Sequence, residues 1–312
     1  MIKKAFSVAV AIVGTSLIVP TATAQSSIPS SGIPSSEISA ADDWQSVGDG
    51  ITSGVSGVAI DGRHGDTVDM LAVRDNKNPG QNRLVAMRHS PDAKPRVRPV
   101  TWDGELPVDL EAIDAIPGRE HEYVALASSG KAYRIHREKD TVRVSHEFRL
   151  PAASPDTNYE GFALTAKRGA IVAVWADRGQ DDRPGKLSAA EWNPSTNTFS
   201  KHDSAEFTVP YPTDDVRHIS DVKISATGAL TVSAASDPGD DGPYDSALYE
   251  AGRISFGSEL RLHVSDAPRR LATFPGHKIE ALACLPKSDE GILGTDDENG
   301  GGSIASAEFC RP

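Results

Sequence analysis

A short phrase recurs along the chain at nearly even intervals, and it restricts the fold more than any other feature. Its copies are Ser56-Gly57-Val58-Ala59, Glu111-Ala112-Ile113, Glu160-Gly161-Phe162-Ala163, Asp221-Val222-Lys223-Ile224 and Glu280-Ala281-Leu282-Ala283, at steps of 55, 49, 61 and 59 residues. Each copy opens a set of short apolar or alternating runs bounded by Gly, Pro, Asp or Asn, the signature of strands. Runs over 57–60, 68–73, 83–88 and 96–102 form the first set, and later sets open at 110, 160, 219 and 278. Nothing beyond residue 50 has the period of a long helix. A Greek-key sandwich would explain the strands but not the recurrence, whereas four strands per unit at this period describe an all-β fold, a β-propeller. The fifth set holds only three strands, and residues 44–51 are left over at the other end. Pairing that segment as the missing strand closes the ring and removes an exposed edge. Five blades are counted, or six if one repeat is too degenerate to see.

Ahead of this domain, Lys3 and Lys4 precede an apolar run that ends in Ala22-Thr23-Ala24, the pattern of a cleaved secretory signal over residues 1–24. The run is shorter than a bilayer span. Residues 25–41 are rich in Ser and Pro and read as a flexible spacer, so a single propeller domain occupies 42–312. Lys and Arg number 32 against 44 for Asp and Glu, a formal charge of −12. Such a chain does not follow a phosphate backbone by bulk electrostatics, so no nucleic-acid partner is expected. Export to the envelope or the medium places Cys284 and Cys310 in an oxidising compartment, where a disulfide is the favoured reading and two buried thiols the alternative.

In a propeller the first strand of each blade lines the central channel, so Ser56, Glu111, Glu160, Asp221 and Glu280 are expected to converge at one mouth. A second polar set follows the second strands: Asp75-Asn76, Ser128-Ser129, Asp177-Arg178, Asp237 and Asp296-Asp297-Glu298-Asn299. Packed carboxylates share protons or are neutralised by a cation. Oxygen ligands suit hard ions, Ca²⁺ first and Mg²⁺ or Mn²⁺ next, which makes Glu111, Glu160, Asp221, Glu280, Asp296, Asp297 and Asn299 the candidate metal set. The nine histidines form no zinc-type pair. The competing reading is structural, with each acid accepting hydrogen bonds from amides of the next blade. His218 and His277 precede first-strand acids and are candidate acid–base groups. Arg178 and Lys278 are candidate anchors for an anionic substrate. No P-loop or dinucleotide fingerprint is present, so no organic cofactor is expected.

The phrases around Glu111, Glu160 and Glu280, with Gly294-Thr295-Asp296-Asp297-Glu298-Asn299-Gly300-Gly301, resemble those of secreted bacterial phytase-like and esterase-like propellers. The resemblance implies a divalent ion held by channel acids. The chain departs from phytases in lacking a Lys and Arg cluster for a polyphosphate. The expectation is an exported, divalent-metal-dependent hydrolase of a small phosphoester, ester or lactone, acting as a monomer. The alternative is a non-catalytic propeller that binds an envelope glycan or protein, its carboxylates serving the fold alone.

Overall fold

The computed structural model describes residues 43–310, so the signal and spacer expected over 1–41 lie outside the described residues. Described residues are strand and loop throughout, apart from one 3-10 turn at Glu298–Gly300. None of them forms a helix long and apolar enough to cross a membrane.

Twenty strands form four-stranded antiparallel units. The first unit is β2 (Gly57–His64), β3 (Thr67–Val73), β4 (Leu84–Ser90) and β5 (Ala93–Asp103). The second is β6 (Leu110–Ala115), β7 (Glu122–Ala127), β8 (Lys131–Glu138) and β9 (Thr141–Arg149). The third is β10 (Tyr159–Lys167), β11 (Ala170–Asp177), β12 (Gly185–Asn193) and β13 (Thr198–Phe207). The fourth is β14 (Val216–Ile224), β15 (Ala229–Ser236), β16 (Asp245–Phe256) and β17 (Leu260–Pro275). In the last, β18 (Ile279–Cys284), β19 (Glu290–Thr295) and β20 (Gly302–Glu308) are joined by β1 (Gln45–Gly48), which pairs antiparallel with β20. Outer strands β5 and β9 also pair, in parallel over Thr101–Asp103, and merge the first two units into one eight-stranded sheet. Where the sequence ends a strand near residue 264, β17 continues to Pro275, its pairing with β16 shifted twice by bulges.

The apolar runs are continuous rather than alternating because each unit buries both faces. On β3, Leu71 and Val73 pack toward the second unit, while Met70 and Ala72 pack toward the last. Five such core clusters fill the spaces between successive units, including that between the last and the first. Each buried Leu, Ile or Val contributes roughly 1.5–3 kcal/mol to this packing. Glycine in the recurring phrase has a steric cause: a Cβ on Gly57 would lie 2.7 Å from the Ala112 Cα, and one on Gly161 would lie 2.9 Å from the Val222 backbone nitrogen. First strands of neighbouring units approach too closely there for a side chain.

The units are also tied by buried carboxylates. The Leu164 N–H donates to Asp114 Oδ2 at 2.7 Å, and the Leu282 N–H donates to Asp221 Oδ2 at 2.8 Å, each across a unit boundary. A disulfide joins Cys284 to Cys310, with Cα atoms 5.5 Å apart, the bond favoured by the sequence.

Candidate active site

Three of the recurring glutamates share one local geometry. Leu110 pairs with Ala127 and Ala112 with Leu126, which leaves Glu111 as a bulged residue between them; Glu160 and Glu280 are bulged identically on β10 and β18. A one-residue bulge re-aims its side chain away from the pleat. The three carboxyls thereby line a single cavity of about 450 Å³ at the start of the first strands.

The fourth member of the ring is not the acid expected from the phrase. The N–H groups of Ser128, Arg178, Asp237 and Asp296 donate to the carbonyls of Asp109, Asn158, Asp215 and Lys278 respectively. Two residues beyond those carbonyls stand Glu111, Glu160, Arg217 and Glu280. Arg217 therefore occupies the glutamate position on β14, because an irregularity between Arg217 and Asp221 lengthens that strand entry. Asp221 lies in the core between the fourth and last units, fully buried, where it accepts from the Val222 and Leu282 amides with Lys223 Nζ 3.5 Å away. It has the fold-locking role of the competing reading and takes no part in the mouth.

Arg217 organises what it replaces. Its Nη1 lies 2.8 Å from Glu280 Oε1 and 3.9 Å from Glu160 Oε1, and its Nη2 donates to Asp237. Lys278, only 1% exposed, sets its Nζ 3.1 Å from Glu280 Oε1 and against Glu298. Arg178 Nη1 lies 3.3 Å from Glu160 Oε1. Acid and base thus alternate along the floor. Burial opposes the charges on Arg217 and Lys278, but their acidic neighbours outweigh it and hold both pKa values up. Burial lifts Glu280 to about 8 against the pull of Lys278 and Arg217. At Asp237 the order reverses, since Arg217 and Lys278 overcome burial and hold the carboxyl below its ordinary value.

Glu111 is the exception. It is 7% exposed and lines the cavity, and after burial the groups that act on it most are Glu160, Asp109, Glu280 and Asp75, all acids, which outweigh Lys77 and Arg217. Burial and these acids raise its pKa well above the ordinary value and favour its protonated form. Beside it, Asp109 is held low despite burial, because the Ser128 hydroxyl donates to it and Lys77 Nζ lies 2.9 Å away. Asp109 sits at φ 63°, a backbone conformation that non-glycine residues seldom adopt and that functional sites often retain. Asp75 completes the group, raised first by burial, with its Oδ2 3.5 Å from Lys77 Nζ. One oxygen from each of Asp75, Asp109 and Glu111 lies within 4.8 Å of the others.

The remaining sequence candidates are dispersed. Asp296 is buried beneath the mouth against Gly54, where a Cβ would come within 2.1 Å of its carboxyl carbon, and burial raises it to about 7. Asp297 accepts from the Lys278 N–H at 2.7 Å and bonds His277 Nδ1 at 2.9 Å. Asn299 donates to Asp241 at the surface. Both ring nitrogens of His218 are engaged by backbone: Nε2 lies 2.7 Å from the Asp181 carbonyl, and the Val209 N–H donates to Nδ1. His277 packs on Trp44, ring centroids 4.3 Å apart. Neither histidine lines the cavity, whereas Arg178 and Lys278 do. Arg217, Asp109 and Lys77 were not singled out from the sequence. Spacing alone would not have exposed Arg217, since it stands 20 residues before Asp237 while Glu111, Glu160 and Glu280 stand 17, 18 and 16 before Ser128, Arg178 and Asp296.

No family model matches the sequence, and neither does any curated protein. Solved structures do. The chain is similar to a "Glycoside hydrolase" with TM-score 0.50 and 10% identity, over 83% of this chain and 62% of that one. It therefore spans less than two thirds of that protein. It is also similar to "GH43 Endo-Arabinanase from Bacillus licheniformis", TM-score 0.50 and 12% identity, over 85% of this chain and 96% of that one. At this identity the likeness is one of fold, and it agrees with the all-β, propeller-type architecture.

Proposed function

We propose that the chain is a five-bladed propeller closed by β1, and a hydrolase that works through a carboxyl dyad at its mouth. The closure reading is supported by the five core clusters, which return from the last unit to the first. The catalytic reading rests on one observation: Glu111, a buried carboxyl facing the cavity and raised by burial and the acids around it, stands beside Asp109, a carboxyl held low by Ser128 and Lys77. Two acids whose surroundings push their protonation apart divide the labour of hydrolysis. With their oxygens within 4.8 Å, Asp109 attacks the scissile carbon while Glu111 passes its proton to the departing oxygen, and water that gives its proton back to Glu111 then cleaves the Asp109 ester. Lys77 is 57% exposed at its side chain, so its tip can swing out as substrate enters.

The lining also speaks to substrate. Eight carboxyl groups against four cations disfavour a phosphoester, and the amides of Asn76, Asn78, Gln81 and Asn158 suit a neutral ligand rich in hydroxyls. A glycoside meets that description, and the two similar structures are a glycoside hydrolase and an endo-arabinanase. Arabinan and aryl glycosides are therefore the first substrates to offer. Release of reducing ends by the wild type, lost by about 10²–10⁴-fold in Glu111→Gln while the variant stays folded, is the expected result. Equal turnover by wild type and Glu111→Gln overturns the dyad.

One observation favours a second reading. The oxygens of Asp75, Asp109 and Glu111 are close enough to hold a hard cation such as Ca²⁺. The ion would displace Lys77 and the Glu111 proton. It would raise the melting midpoint over that in EDTA, and Asp75→Asn would abolish the rise. An unchanged midpoint with millimolar Ca²⁺, Mg²⁺ and Mn²⁺ leaves the proton dyad alone.

A further inference from the structure

A second cavity, of about 410 Å³, lies between the first two units and has the opposite character. None of its lining residues also lines the mouth. Its walls carry Arg88, Arg96, Arg98 and Arg137 against only Asp61 and Asp69. Asp61 and Asp69 are occupied: Arg137 Nη1 lies 2.5 Å from Asp61 Oδ2, and Arg88 forks onto both oxygens of Asp69 at 2.7 and 2.9 Å. Arg98 reaches Asp140 at 3.2 Å, outside the groove, and remains 64% exposed. Arg96 has no carboxylate within 4 Å among the described residues.

The strand register makes this arrangement costly. Arg88 on β4 is directly opposite Arg96 on β5, and Ala86 is opposite Arg98, so all three guanidinium groups share one face. Like charges directly opposite each other destabilise a sheet. In a chain with formal charge −12 there is no shortage of acids to relieve the repulsion, yet none is placed against Arg96. An oxyanion lying across Arg96 and Arg98 supplies the missing charge, and guanidinium forks match carboxylate, sulfate and phosphate oxygens two at a time. Arg96 and Arg98, two residues apart on one strand, offer binding points about 6.7 Å from each other. That spacing suits successive acidic groups on a polymer better than one small ion.

We infer that this groove binds an anionic polysaccharide, through Arg96 and Arg98 with Arg88 behind them. The acidic mouth repels such a polymer while the groove holds it, so docking and the reaction proposed above occupy different faces. The test is retention of the full chain in native gels cast with polygalacturonate, dextran sulfate or a phosphate-bearing polysaccharide, at 50 and 200 mM salt. Wild type should be retarded by at least one of these at low salt and less at high salt. The arm that retards it names the oxyanion. Arg96→Glu with Arg98→Glu should lose at least tenfold in apparent affinity. Both side chains are exposed, and an unchanged melting midpoint will show that the double variant folds. Glu111→Gln should be retarded as wild type, so a failure of the dyad leaves this result intact. Three outcomes overturn the inference: no retardation by any polymer at 50 mM salt, equal retardation of the double variant, or equal retardation by duplex DNA.

Discussion

Replacing Arg217 by Met keeps most of the side-chain volume but removes the charge that Glu160, Glu280 and Asp237 face together. The guanidinium is largely buried, so solvent cannot take its place, and breaking one side of a buried ion pair typically costs about 3–5 kcal/mol. For a domain of this size each kcal/mol moves the thermal midpoint by about 2–4 °C, so the variant should melt about 6–20 °C below wild type at pH 7. The deficit should depend on pH in a definite direction. Against burial, Arg217 and Lys278 hold Asp237 below its ordinary value of 3.8. A carboxyl lowered in the folded state contributes stability that is fully present above its ordinary value and lost as pH falls through the folded value. Without Arg217 most of that contribution is missing, so the penalty is full at neutral pH and shrinks toward about pH 3. Reversible urea unfolding of both proteins between about pH 3 and 8 measures it. A variant within 1 kcal/mol of wild type at pH 8, or a gap that widens in acid, would refute the assignment of Arg217 as the counter-charge of the ring.

Three further outcomes follow from other positions. Glu111→Gln should stabilise the fold by about 1 kcal/mol or more at pH 8, because it removes a carboxyl surrounded by acids, and the gain should vanish in acid; urea midpoints at pH 5 and 8 check this. Activity of the wild type should fall as pH rises through the Glu111 value, which a pH–rate profile against an aryl glycoside will trace. Asp221→Asn should cost about 1–3 kcal/mol, since an amide cannot accept from both the Val222 and Leu282 N–H groups, with turnover per folded molecule unchanged. Replacing Cys284 and Cys310 by Ser should cost about 3 kcal/mol, as the bond closes a loop spanning 26 residues, and the loss should equal that produced in wild type by a reductant.

Much of the architecture was legible because a propeller writes its period into the sequence. The recurring phrase located each first strand, and its glycines mark contacts such as that of Gly57 with Ala112. The leftover segment at 44–51 correctly pointed to a strand that completes the last sheet. What the phrase did not resolve was register. Asp221 imitates Glu160 in sequence, yet the extra residues between Arg217 and Asp221 carry it past the mouth and into the core. An acid that caps a neighbour's amide and an acid that faces a channel look alike in sequence, since both follow apolar strand starts. The histidines mislead for a related reason. His218 lies close to the ring along the chain, but its ring is turned to backbone groups of Asp181 and Val209.

The alternation of charge around the mouth explains why fold and chemistry can be separated there. Asp237 is held below its ordinary value by Arg217 and Lys278, which are themselves buried, so neutralising it strands a guanidinium and an ammonium and weakens the protein. At Glu111 the balance differs. Burial and the surrounding acids outweigh Lys77 and Arg217 and favour its proton, so a neutral isostere there relieves the structure instead of damaging it. A structural acid and a working acid therefore differ in the sign of the stability change on amidation. Asp237→Asn should lower the urea midpoint at pH 7 while Glu111→Gln raises it. If both lower it alike, the ring is wholly a structural lock, and the hydrolytic reading of the mouth falls with it.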